Sequence, residues 1–151
     1  MLSIDTNLLF FAYAEDRPEH FAASQWMHSL ISRKDIAISE FVLLEFYNLL
    51  RNPSVMKNPL TAPEATEVAQ TYRRHPRWKI CGFPKDSHRL HDELWNFAAT
   101  PGIARRRVFD ARLAFCLLHH GVSSFATANV KDFEGMGFER VWNPLLEFKI
   151  G

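Results

Sequence analysis

Short apolar runs alternate along the chain with longer stretches in which apolar residues recur every three or four positions, the pattern of strands that feed helices. Leu2–Ile4 is the first such run, and it stops at the polar trio Asp5-Thr6-Asn7. Behind that cap a helix is expected from Leu8 to Ala14. A second helix is expected from Pro18 to about Ile31, with Pro18 near its first turn and Phe21, Trp26 and Leu30 among its apolar positions. Ile36–Ile38 forms the next strand. Ser39 then caps a helix from Glu40 to about Leu50, which stops before Asn52-Pro53.

Pro53 to Pro63 reads as a loop whose end, Thr61-Ala62-Pro63-Glu64, is a capping box opening a helix to about Arg74. Trp78–Cys81 is a third strand, Asp86 caps a helix to about Ala98, and Pro101-Gly102 ends it. Arg105, Arg106 and Arg107 make a basic turn. The run VFDARLAFCLLHHG is almost wholly apolar after Asp110 and closes on Gly121, as helices often do on a left-handed residue. Ser124–Thr127 is a strand, ANVKDFEGMGF a loop, and Arg140–Trp142 a last short strand. Strands separated by helices predict an α/β fold, an α/β/α sandwich around a mostly parallel sheet. The length suits a single domain over residues 1–151.

Composition narrows this picture in three places. Hydrophobic residues make up 47% of the chain, thirteen of them Phe, which is ample for a packed core and unlike a disordered chain. A formal net charge of +1 neither requires nor excludes nucleic acid, so any attraction to phosphate must come from local clustering. Cys81 and Cys116 form no CxxC pair, which argues against a thiolate zinc site or a disulfide framework and fits a reducing cytoplasm. The first residues lack a basic leader, and Asp5 interrupts their apolar stretch, so folded cytoplasmic protein is expected rather than a signal peptide or membrane span.

The acidic residues carry the candidate chemistry. Asp5 falls at the carboxyl end of the first strand, where open parallel sheets bind ligands, although Asp is also a favoured helix cap. Between Phe41 and Leu50 only Glu45 and Asn48 are polar, three apart on one face of a helix expected to be nearly all buried. A carboxylate there either reaches solvent along a narrow stripe or finds a cation. Asp110 heads an apolar helix in which the next seven residues hold one charge, Arg112; it too is either a cap or a ligand. Asp132 and Asn129 lie past the Ser124–Thr127 strand, where both also suit a turn. Converging on one sheet edge, such carboxylates would need a hard cation, and oxygen-only ligation suits Mg²⁺ or Mn²⁺. His88 and His91 hint at zinc but lack a third ligand at helical spacing. No Gly-rich phosphate loop or GxSxG elbow occurs.

At these positions the chain resembles the PIN domain family. Asp5 in IDTN is similar to its first acidic position, Glu45 in SEFVLLEFYNLLR to its helical glutamate, Asp110 in FDARLA to its third acid, and ATANVKDF to its final loop. The resemblance spans almost the whole chain in order and spacing. It implies metal-dependent cleavage of single-stranded RNA, with Asp5, Glu45 and Asp110 holding Mg²⁺ or Mn²⁺. Many members carry an acid where Asn129 stands, so the fourth role falls to Asp132 or is weakened. Thr6 and Thr127 are candidates to hold carboxylates through their hydroxyls, beside ordinary capping and strand roles. Arg105, Arg106 and Arg107 are candidates to grip RNA phosphates, or simply a solvated basic loop. The small size points to toxins of the VapC type, which implies a cognate antitoxin occluding the site and a homodimer. Two alternatives remain: a catalytically silent RNA-binding module, and a nuclease for single-stranded DNA.

Overall fold

The structure, a computed structural model, describes residues 1–147. Five short strands, β1 (Leu2–Ile4), β2 (Ile36–Ser39), β3 (Lys79–Cys81), β4 (Ser124–Ala126) and β5 (Arg140–Trp142), form one sheet in the order β3-β2-β1-β4-β5. Every pairing is parallel, so the expected mostly parallel sheet is wholly parallel. The helices are α1 (Thr6–Tyr13), α2 (His20–Ser29), α3 (Glu40–Leu50), α4 (Ala62–Arg73), α5 (Ser87–Ala98), α6 (Arg107–His119) and α7 (Val130–Phe133).

Right-handed crossovers dictate the layers. The chain moves outward from β1 to β2 to β3, which lays α1–α4 on one face. It then returns to β4 and β5, which lays α5–α7 on the other. Packing follows this division: α1 lies against α2 and α3, α3 against α4, and α5 against α6. With both faces covered, β1 and β2 are buried at every residue, as parallel strands inside a sandwich must be. The edge strands β3 and β5 keep exposed positions.

Local sequence explains most element ends. Thr61 and Glu64 complete the capping box of α4 reciprocally. Ser39 caps α3 through Phe41 N–H, and Asp86 caps α5 through Arg89 N–H. Gly121, at φ +84°, closes α6 in a Schellman arrangement: Val122 N–H reaches the Leu117 carbonyl at 3.1 Å and Gly121 N–H the Leu118 carbonyl at 3.0 Å. Three expectations shift. The first helix begins at Thr6 rather than Leu8, because Asp5 itself is the cap. The second begins at His20, since Arg17 to Glu19 are spent in turns that bond back to Ala14 and Arg17. The segment expected as a loop after β4 contains the single-turn helix α7.

Candidate active site

Strand register brings the first carboxylate to the sheet edge. Ile4 pairs with Ala126, so Asp5 and Thr127 leave neighbouring strands side by side, and Asp5 N–H donates to the Ala126 carbonyl at 2.9 Å. The Thr127 hydroxyl donates to Asp5 Oδ2 at 2.7 Å. Thr6 N–H donates to Oδ1 at 2.8 Å, and the Asn7 amide to Oδ2 at 3.3 Å. Asn7 also accepts from Ala128 N–H at 3.2 Å, tying the start of α1 to the chain leaving β4. Asp5 is therefore both a helix cap and a clamped carboxylate, only 7% exposed.

The remaining acids arrive from both helical layers. Glu45, in the second turn of α3, accepts the Thr6 hydroxyl at 2.7 Å through Oε2. The helix that carries it is less buried than its apolar sequence suggests: Leu44, Glu45 and Asn48 are exposed, and Leu44 shows 63% of its surface. Glu45 thus sits on an open face, not on a narrow polar stripe. Asp110 is the fourth residue of α6; Arg106 holds the cap position and no side chain caps there, so the capping alternative does not describe Asp110. Asp132 lies in α7 and is exposed.

Asp5, Glu45, Asp110 and Asp132 line one cleft of about 490 Å³, with Asn129 and the apolar side chains of Phe41, Leu44 and Phe109 on its walls. Their charges are felt mutually. Burial, and then repulsion from Glu45 and Asp110, push the Asp5 carboxyl up to about 6 despite the opposing hydrogen bonds from Thr127 and Thr6. Asp110 is likewise pushed to about 6 by burial, Asp132 and Glu45, with the Arg107 guanidinium pulling the other way. None of the four acids forms an ion pair among the described residues.

An oxygen-only donor set with uncompensated negative charge fits a hard divalent cation in its chemistry. As the side chains stand, however, no three His, Cys, Asp or Glu among the described residues group closely enough to share one ion. Asp5 is clamped, whereas Glu45 and Asp132 are exposed, so closure around an ion falls to the exposed members.

The basic turn lies outside the cleft lining. Arg105 and Arg106 are exposed, while Arg107 donates to the Asp132 carbonyl at 3.1 Å and lies over the Phe97 ring. The cation that does line the cleft is Arg112, which the sequence marked only as the lone charge after Asp110. Asn7 was visible only as part of a polar cap. His88 is exposed beside Asp92, and His91 Nδ1 is held by the Ser87 carbonyl at 2.6 Å, so neither approaches a metal cluster. Both cysteines are buried and free. No helix among the described residues is long and apolar enough to cross a membrane.

Comparison with known proteins identifies the family of the chain. The PIN domain family model matches residues 2–139. Ribonuclease VapC24 of Mycobacterium tuberculosis is 52% identical over 145 residues, covering 96% of this chain and 97% of the relative. Among solved structures, M. tuberculosis VapC20, described as a toxin that cleaves the sarcin–ricin loop, superposes with a TM-score of 0.65 at 18% identity, covering 91% of this chain and 96% of the other. FitAcB from Neisseria gonorrhoeae gives 0.64 at 19% identity, with 95% and 98% covered. The chain belongs to the PIN domain family and, within it, groups with the VapC ribonucleases.

Proposed function

We propose that the protein is an endoribonuclease dependent on Mg²⁺ or Mn²⁺ that cuts single-stranded or structured RNA as the toxin of a toxin–antitoxin pair. The observation that carries the catalytic reading is the set of four carboxylates without an ion pair in one cleft at the carboxyl edge of the sheet. The ribonuclease name of a relative with 52% identity supports RNA as substrate. Solved complexes of structural neighbours, among them VapBC2 of Rickettsia felis and a toxin–antitoxin complex from Klebsiella pneumoniae, support a partner protein. The cognate antitoxin would occlude the cleft, and the active protein would pair as a homodimer.

Asp5, Glu45 and Asp110 would hold the ion, with Asp132 as the fourth acid beside Asn129. When bound, a divalent ion lowers the pKa of water and neutralises charge developing on the phosphate. The chain's own residues supply position. Thr127 and Thr6 N–H fix both oxygens of Asp5, and the Thr6 hydroxyl steers Glu45 toward the same edge. Asp132 stands exposed where it is free to reorient toward entering substrate.

The test is cleavage of a single-stranded RNA oligonucleotide with Mg²⁺, with Mn²⁺ and with EDTA. Cutting should require the ion, fall by at least about a hundredfold in Asp110→Asn and Glu45→Gln, and fall less in Asp132→Asn. Attack by water, rather than by the substrate's own 2′-hydroxyl, should leave no 2′,3′-cyclic phosphate. A cyclic product, or full activity of Asp110→Asn, overturns the reading. Expression alone should arrest growth of a host cell, and growth undisturbed by active protein would remove the toxin role.

A further inference from the structure

The acidic cleft must receive a polyanion, yet its lining contains a single cationic side chain among the described residues, Arg112. That guanidinium is not spent on the carboxylates, since it enters no ion pair there. Its Nε is buried without a hydrogen-bond partner among the described residues. What fixes it is aromatic: Cζ lies 4.5 Å from the Phe41 ring centre and 5.5 Å from that of Phe109. Stacking over rings orients the planar fork without consuming its terminal Nη donors, which leaves those for an oxyanion while Nε stays buried. Phe109 is 65% exposed although it neighbours Asp110 in α6, so a large apolar ring is held at the mouth of a polar cleft.

A charged fork and an open ring one helical step apart match the two recurring parts of a single-stranded nucleic acid, the phosphate and the base face. We propose that Arg112 and Phe109 form a nucleotide subsite beside the carboxylates, Arg112 gripping a backbone phosphate next to the one that is cut and Phe109 stacking on a base. This rests on the reading of the cleft as an RNA-cutting site and adds how the strand is seated in it. Arg112 is a positioning residue here, and the subsite makes no demand on base identity, because every base presents a stacking face.

The test is fluorescence anisotropy with a labelled single-stranded RNA oligonucleotide of mixed sequence in EDTA, at salt concentrations from 50 to 200 mM, on wild type, Arg112→Met, Arg112→Lys and Phe109→Ala. Arg112→Met should weaken binding about tenfold and reduce the slope of log affinity against log salt by about 0.7, the value for one phosphate contact on a single strand. Arg112→Lys should keep the slope while losing part of the affinity, because an ammonium lacks the stacked planar fork. Phe109→Ala should weaken binding about tenfold with the slope unchanged, since a stacked base carries no counterion. Wild-type affinity and slope in both Arg112→Lys and Phe109→Ala would overturn the subsite, as would an Arg112→Met protein that melts early yet binds RNA normally. A changed sedimentation mass for Phe109→Ala with RNA affinity intact would also overturn it, by making the ring a contact between protein copies. These affinities are measured without cleavage, so a protein that binds through Arg112 and Phe109 but fails to cut with Mg²⁺ would refute the catalytic reading alone.

Discussion

Asp5 provides the most direct test of the electrostatics, because its clamped carboxyl is pushed from 3.8 to about 6 in the metal-free fold. At Asp5 the folded state therefore takes up a proton more readily than the unfolded chain, and the contribution of this group to stability increases as pH falls from 7 toward 4. Linkage gives a gain of about 1 kcal/mol between pH 7 and pH 5 for this group alone, and keeping Asp5 ionised at neutral pH costs the fold about 3 kcal/mol. For a chain of this size, about 1 kcal/mol corresponds to a rise of about 2–4 °C in Tm. His75 works in the opposite sense: burial and Arg77 depress its pKa, so its contribution is lost as pH drops through the imidazole range. The measurement is accordingly a comparison. Thermal melts of wild type and Asp5→Asn in EDTA share the His75 contribution, and they share that of Asp110, raised by burial, Asp132 and Glu45, apart from its repulsion with Asp5 itself. Wild type should gain on Asp5→Asn as pH falls from 7 to 5. Parallel curves over that interval would refute the burial and crowding of this carboxyl.

Added Mn²⁺ should raise the Tm of wild type, with about 2.7 kcal/mol at a hundredfold excess over Kd, and the effect should shrink as pH falls because protons compete for the same oxygens; a Tm indifferent to the ion at pH 7 would argue against a metal site. Thr127→Val removes the hydroxyl that donates to Asp5 and accepts from Asn129 N–H, so it should cost about 2 kcal/mol in denaturant melts and lower RNA cleavage although no carboxylate is lost. Gly137→Ala, at φ +116° with the added Cβ 3.0 Å from Leu118 Cδ1, should cost about 1–3 kcal/mol in the same melts and leave RNA affinity unchanged.

Local chemistry made much of the fold legible. The Thr61–Glu64 capping box, the Ser39 cap and the Gly121 terminator are short-range signals, and α3, α4 and α6 follow them closely. One turn of helix such as α7 is too brief to show a 3.6-residue period, so its sequence reads as loop. α3 is less buried than its apolar sequence predicts because an apolar side chain need not be inside: Leu44 is mostly exposed on the face that carries Glu45. The site was legible as residue types at sheet edges, but not as geometry. Thr127 meets Asp5 across 122 positions of sequence through the register of β1 and β4, and no local pattern encodes that pairing. Arg112 appeared only as an interruption of an apolar run, since the rings that orient it come from another helix as well as its own.

The strand order explains why the carboxylates meet where they do. The path runs outward from β1 to β3 and then returns to β4, so helices leave the adjacent β1 and β4 on opposite faces and a crevice opens between them. Asp5 closes β1 at that crevice, Glu45 leans in from α3 in one layer, and Asp110 from α6 in the other. Two of these acids also sit at helix starts, Asp5 as the cap of α1 and Asp110 in the first turn of α6, where the helix dipole favours an anion. That help amounts to about 0.3–1 kcal/mol at each terminus. It falls short of the cost of about 3 kcal/mol for Asp5 alone, so helix termini do not balance the cleft's charge. The balance is left to the packed core, which carries the deficit in the metal-free protein, and to a bound cation, which would remove it. A site assembled this way would couple ion binding to folding through charge.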